Sequence, residues 1–457
     1  MKKTGVILVL FIVLTALVFF NTGCKPKEVA KEPVKIEFWT TQTQSDRMAT
    51  IQLLADTFQA TNPDIEIVVV PVDENDMPKQ VASASAAGRM PAMGEFSSDI
   101  ALSFGAEGIL DINAATAIIN SVGKNEYYAG PLTLLESSAG KYYAAPFHGW
   151  IQGIWYRSDW FEEAGLAPPT TWEAIEKAAK HFYQPAKNQY GILVGTKAES
   201  YTEQCFTQFA LSNKAPLFDK NGNLTFNTPQ MKEAIEFYAK IAKYNPPGPQ
   251  TWRARDYYIQ GKMAGFFYST YIMDDLALAE NMAGSLTGEN FAELTGGDFD
   301  PELSNKTGFA PKIGKLQPAG FGVVVSLGFF KQDDPANTEA AKKFVEFLYT
   351  DDAYITFLHI QPGGMYPMLK KIAASEQFLN DPSGIYERYG KEKLAEIVSG
   401  LENLMRFDVV EGNLIKDYGK ISAQQIIPQM MYKITQEGVA VDKAMSWAEG
   451  EMKKAIE

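Results

Sequence analysis

Covalent, metal and acid–base chemistry each leave a spacing signature, and the polar side chains of this sequence carry little of any. His148, His181 and His359 stand far apart, with no HExxH pair to put two zinc ligands on one helix face. No serine has glycine both two residues before and two residues after it, and no G-x-x-x-x-G-K run exists to cradle a phosphate. Asp219–Asn223 reads as a turn, since Gly222 misses the sixth position that a calcium loop requires. The 55 acidic residues supply carboxylate pairs at every separation, so counting neither indicates nor excludes a glycosidase pair. Aromatic rings are what the sequence concentrates: Tyr142 to Trp172 holds nine of them in 31 residues. Rings bring flat apolar faces and no nucleophile, which suits binding better than turnover. No catalytic residue, metal or cofactor is expected.

A chain of 457 residues, 46% hydrophobic and 12% aromatic, can bury sizeable cores, and its length suits two lobes. The formal charge of −13 repels phosphate backbones and argues against nucleic acid as a partner. Residues 1–23 have the layout of a signal peptide, with Lys2 and Lys3 before an apolar run from Val6 to Phe20. That run falls short of the roughly 18 residues a membrane span needs, which makes an uncleaved anchor the weaker reading. Thr22-Gly23-Cys24 resembles a lipobox, although Asn21 stands where such boxes carry an aliphatic residue. Cys24 is the expected lipidation site and mature N-terminus, and the polar residues 24–33 are the expected tether. With Cys24 so used, Cys205 has no partner for an intramolecular disulfide.

The elements that would position a ring-lined site alternate between strand and helix periods. Val34–Trp39 alternates apolar and charged residues, and Ile65–Val70 is a second, more buried strand. Between them Ile51, Leu54, Ala55 and Phe58 recur at helical spacing on one face, which stops before Asn62-Pro63. This βαβ unit predicts an α/β fold with a mostly parallel sheet, and binding outside the carboxyl ends of its strands, at Trp39-Thr40-Thr41-Gln42. In the ring-rich stretch, Gly153–Tyr156 reads as a strand and Ser158–Gly165 as a short helix. Thr170 reads as the N-cap of a longer helix, with Glu173 completing a capping box and Ile175, Ala178, Ala179 and Phe182 facing the core.

Four segments, in order, carry a resemblance. Lys141–Phe147 with Ile154–Leu166 and Pro169–Trp172 resembles the Tyr-rich strand, Ala-Gly-Leu and Pro-x-Thr-Trp of the maltose-binding-protein-like solute-binding proteins of ABC sugar importers. Arg157-Ser158 replaces the Asn-Lys usual there. Ser98–Ile100 to Asp111-Ile112, Gln260–Gly265 and Asn337–Tyr349 match further motifs of that group, the last with Ala341, Phe344, Val345 and Leu348 on one helix face. The resemblance spans nearly the whole mature chain.

That resemblance implies a two-lobed periplasmic-binding-protein fold, each lobe a mostly parallel sheet flanked by helices, with a hinge closing over a solute. Three crossings are expected near Tyr143–His148, Pro318–Gly322 and Gln361–Gly364, giving one lobe of 34–145 plus 322–361 and another of 146–321 plus 365–457. The implied partners are a sugar or oligosaccharide, an ABC permease, and a bacterial membrane reached through the lipid, with the protein a monomer outside the cytoplasm. Sugars alternate hydroxyl rims with C–H faces, so their site asks for rings and convergent polar groups. Carried over by position, the ligand-binding candidates are Trp39, Thr41, Gln42, Phe104 after an expected strand at Ser98–Leu102, Trp150, Tyr201 on an expected loop after Gly191–Gly195, Tyr271, Met365, Tyr366 and Tyr418. Trp155, Tyr156, Trp160, Phe161 and Trp172 are expected in the core. Two alternatives stay open: a secreted carbohydrate-active enzyme, and a binder of glycerol phosphate or another small polar solute, for which Arg89, Arg253, Arg255 or Arg406 would have to face the cleft.

Overall fold

The computed structural model describes residues 32–457 apart from 139 and 412. The signal peptide, Cys24 and the tether up to residue 31 lie outside the described residues. Eight strands form one sheet: β1 (Val34–Thr40), β2 (Ile65–Pro71), β3 (Met93–Ser97), β4 (Ala145–Arg157), β5 (Gly265–Ser269), β6 (Thr307–Ala310), β7 (Phe321–Phe329) and β8 (Tyr366–Pro367). The order is β8-β4-β7-β3-β1-β2, with β5 and β6 paired to the far half of β4.

Only β1–β2 and β1–β3 are parallel; β7 runs antiparallel to β3 and β4, and β5, β6 and β8 run antiparallel to β4. The fold is α/β as expected, but its sheet is mixed and continuous rather than two mostly parallel sheets. Continuity comes from β4, 13 residues long. Its first half, to Gln152, pairs with β7, and Gln152–Arg157 pairs with β5 and β6. Inserting β7 between β3 and β4 is what makes the pairing antiparallel there, and no local period in the sequence announces it.

Six helices matter below: α1 (Ser45–Thr61), α3 (Trp172–Phe182) and α5 (Pro335–Leu348) pack against the core, and α2 (Ser98–Ala106), α4 (Ser200–Ser212) and α6 (Asp417–Ala423) border the cleft. In α1 the buried residues are Ile51, Leu54, Ala55 and Phe58, the face read from the sequence. The α5 face buries Ala341, Phe344, Val345 and Leu348, and Phe344 meets Phe38 of β1 edge-on at 5.7 Å. In α3, Ile175, Ala178, Ala179 and Phe182 are buried, but the cap is Thr171, whose Oγ1 accepts from Ala174 N at 3.2 Å, not Thr170. Ser98–Leu102, expected as a strand, is the start of α2: β3 ends at Ser97, and Asp99 sits in the first turn, where a carboxylate favours the helix. Tyr201, expected on a loop, lies in α4.

Strand alternation splits the interior. Trp155, Phe266 and Phe309 point into one cluster, which also holds Phe38, Phe96, Met365 and Tyr366. Ile154, Tyr156, Phe267 and Ala310 point into another, with Trp172 and Phe209. The larger cluster therefore runs from the β1–β3 side to one face of the β5–β6 side. Tyr366-Pro367, just past the expected third crossing, still pairs with Gly149 and His148.

Candidate ligand-binding cleft

The cleft begins at the carboxyl ends of β1 and β3. The Glu95 carboxylate on β3 is 0% exposed, and three side chains donate to it: Thr40 Oγ1, Gln42 Nε2 at 3.0 Å and His148 Nε2 at 2.8 Å. Burial pushes this carboxyl up, but His148 first, then Thr40 and Gln42, more than offset it and hold it below the usual range. Gln42 Oε1 accepts from Arg47 Nη1 at 2.9 Å, Arg47 Nη2 donates to Gln361 Oε1 at 2.9 Å, and Gln361 Nε2 reaches Asp274 Oδ2 at 3.3 Å. A hydrogen-bond chain thus ties β3 to the segment after β5. Gln42, with its amide spent on Glu95 and Arg47, orients Arg47. Beside that chain the Tyr271 ring occupies the space a side chain at Gly364 would need, since a Cβ there would lie 2.1 Å from Tyr271 Cε1.

A cavity of about 340 Å³ opens next to Tyr271. Trp150, Trp252, Tyr268 and Tyr271 supply ring surface, and Gln152, Ser200, Gln204 and Ser269 supply neutral donors and acceptors. Gln152 Nε2 is buried without a partner, a donor aimed at nothing in the protein. Among the described residues, no charged one lines this cavity. Tyr201 closes one wall and donates its hydroxyl to Phe267 O at 2.6 Å.

A larger chamber of about 600 Å³ adjoins it and shares Ser200 and Gln204. The walls are α2, with Asp99, Leu102 and Ser103, and α4, with Glu203 and Thr207; Arg406 and Tyr418 come from the C-terminal segment and Val323 from β7. Arg406 is held by Asp408 through Nε at 2.8 Å and Nη2 at 3.0 Å, and its Nη2 also meets Asp99 across the cleft at 2.7 Å. This guanidinium is therefore neutralised from both walls. Arg255 is likewise engaged: Nη2 meets Asp275 at 2.7 Å, Nη1 donates to Tyr268 OH at 3.1 Å, and the group lies 5.3 Å from the Trp252 ring. Burial pushes Asp275 up to about 6 even beside Arg255. Arg253 stacks on Trp252 at 4.3 Å, while Arg89 is exposed outside both cavities.

Of the candidates read from the sequence, Trp150, Tyr201 and Tyr271 meet at the smaller cavity and Tyr418 lines the larger chamber. Thr41, half-buried, follows β1 and lines neither. Four others pack in the core instead. Trp39 donates Nε1 to Glu37 at 2.8 Å and is buried. Phe104 meets Phe96 edge-on at 5.4 Å. Met365 and Tyr366 are fully buried, with Tyr366 OH on Met273 Sδ at 2.9 Å. A ring or thioether enclosed on all sides offers no surface to a solute. Trp252 and Tyr268, which line the smaller cavity, were missed; Trp252, 37% exposed, follows the Pro246-Pro247-Gly248-Pro249 loop, the one sequence signal beside them.

A sequence model of the family described as bacterial extracellular solute-binding protein matches residues 42–355. YcjN of Escherichia coli strain K12, whose name assigns it to ABC transporter periplasmic-binding proteins, is 29% identical over 95% of this chain and 94% of its own. The mannitol-binding protein of Pseudomonas aeruginosa is 27% identical over 57% of this chain and 59% of its own. The sugar-binding protein MalE of Xanthomonas citri, a solved structure, superposes with a TM-score of 0.72 at 18% identity, over 93% of this chain and 97% of that one, which shows the same two-lobed fold. Each of these is named for binding, none for catalysis. With its matched span, its two-lobed α/β fold and a ring-lined cleft, this chain belongs to the bacterial extracellular solute-binding protein family.

Proposed function

We propose that this protein captures a neutral polyhydroxylated solute, a sugar or oligosaccharide, between its lobes and delivers it to an ABC permease from a lipid anchor at Cys24. The observation that carries the reading is the smaller cavity, whose lining among the described residues holds four aromatic rings with neutral amides and hydroxyls and no charged residue. Such a lining matches the C–H faces and hydroxyls of a sugar or polyol. A phosphate-bearing solute fits the smaller cavity less well, because its lining holds no cation among the described residues and Arg255 beside it is already paired to Asp275. The similar proteins named for mannitol and for sugars agree with that class. The lobes are taken as 34–145 plus 322–361 and 146–321 plus 365–457, acting as a monomer.

A thermal-shift screen over polyols, monosaccharides, oligosaccharides and glycerol 3-phosphate tests the ligand class. A bound solute raises apparent stability by about 2.7 kcal/mol at a hundredfold excess over Kd. A response to glycerol 3-phosphate alone would overturn the neutral-solute reading. Cys24→Ser should release the protein from the membrane fraction or leave an unprocessed precursor; unchanged mass and membrane association would refute the anchor.

A further inference from the structure

Helix α4 borders both cavities. Ser200, Glu203 and Gln204 stand at i, i+3 and i+4, so they share one face of it. Ser200 and Gln204 line the ring-walled cavity and the larger chamber alike, while Glu203 lines only the chamber. Glu203 is 5% exposed. One carboxylate oxygen, Oε1, accepts from Tyr418 OH; the other, Oε2, is buried and accepts no hydrogen bond. A buried oxygen of this kind normally has a donor.

Two cations line the chamber and neither donates to Oε2: Lys416 Nζ reaches Ala106 O at 3.5 Å, and Arg406 is spent on carboxylates. Arg406 gives Nε and Nη2 to Asp408 and shares Nη2 with Asp99. Ser422 lies close enough to favour the ionised carboxylate, yet makes no hydrogen bond with Oε2. Burial, the largest influence, pushes the Glu203 carboxyl above its ordinary range, as expected where one oxygen goes unsatisfied. The smaller cavity, at about 340 Å³, sits near the lower end of the roughly 300–1,000 Å³ that ligand sites span, and the chamber extends it past Gln204 towards Glu203.

We propose that Glu203 is an acceptor subsite for a hydroxyl or ammonium donor at the far end of a solute whose near end lies on the rings of the smaller cavity. The solute is then a disaccharide or longer, and Glu203 selects for it. This inference rests on the binding function proposed above. A hydrogen bond to a charged partner contributes about tenfold to a hundredfold in affinity.

The test is calorimetric titration of the full-length protein with neutral disaccharides, their matching monosaccharides and the 2-amino-2-deoxy counterparts. Wild type should bind at least one disaccharide tenfold or more tightly than its monosaccharide. Glu203→Gln keeps the shape but places an amide donor where an acceptor is needed, and should weaken the disaccharide at least tenfold more than the monosaccharide. Glu203→Asp, which withdraws the carboxylate by one methylene, should move in the same direction, so a misfolded Gln variant leaves the question open to measurement. Preference for the aminated disaccharide would identify ammonium as the donor, and preference for the neutral one hydroxyl. If both variants keep the full margin, or wild type binds only single rings and polyols, the subsite is refuted while the binding function stands. If no saccharide binds wild type, both readings fall together.

Discussion

Trp150→Ala separates a binding ring from a packing ring. Trp150 lies on β4 opposite Val323, is only partly buried, and lines the smaller cavity, with Phe321 as its nearest aromatic neighbour at 6.1 Å. A sugar ring lying on one face would cover roughly a quarter of the ~200 Å² an indole exposes, or about 50 Å². At about 25 cal/mol per Å² that is ~1.3 kcal/mol. The ring-specific attraction adds ~0.5–1.5 kcal/mol. Together these predict a Kd raised about twentyfold to a hundredfold. Trp172 is the control: it is buried, stacks on Phe237 at 4.3 Å and 15°, and donates to Ser212 Oγ at 2.9 Å. Removing a core ring costs ~3–5 kcal/mol of folding stability. Denaturant melts and calorimetric titrations on both variants give the two numbers side by side. If Trp150→Ala loses as much stability as Trp172→Ala and the surviving folded protein binds as before, Trp150 is a core residue and the cleft assignment is refuted.

The ion pair between Asp99 and Arg406 crosses the cleft, and Asp99 is 52% exposed, so Asp99→Asn should shift stability by less than ~1 kcal/mol while enlarging the radius of gyration of the unliganded protein in scattering. Unchanged scattering would show that the pair does not hold the lobes together. Glu95 is held below its ordinary value of 4.5, so the unfolded chain binds the proton more readily than the fold does. The stability this contributes is complete above about 4.5 and is lost as pH falls through the lower folded value, and Glu95→Gln should flatten that acid limb in pH-dependent melts. Thr171→Ala should cost about 1 kcal/mol by removing the α3 cap, whereas Thr170→Ala should cost almost nothing; equal losses in denaturant melts would return the cap to Thr170.

Local periodicity revealed the elements whose pattern is set by one buried face. Ile51 to Phe58 and Ala341 to Leu348 fall on helices for that reason, and Val34–Trp39 on a strand. It failed at Ser98, where a short buried strand hands directly to a helix and the apolar residues fit either period. It failed also for the sheet's direction, because β7 enters between β3 and β4 from far along the chain. In the cleft, Trp150 within β4, Tyr201 in α4 and Tyr271 just past β5 share no local period and were carried over by position from the resemblance alone. Trp39, Phe104, Met365 and Tyr366 were drawn in by the same logic and excluded by the direction of each side chain, which spacing does not encode. Glu95, Arg47 and Gln361 were invisible because their meaning lies in one another.

The sheet closes late in synthesis. Ser326 on β7 donates to Phe96 O on β3, 230 residues earlier, and every strand that pairs with β4 comes after it in the chain. Until β7 has been made, β3 is paired on one side only, by β1, and the first half of β4 has no partner, and closing so long a loop costs entropy before any contact returns it. An amino-terminal fragment ending before residue 321 therefore lacks the strand that joins β3 to β4. The sheet that ties the molecule together can thus be completed only once β7, and with it most of the chain, has been made.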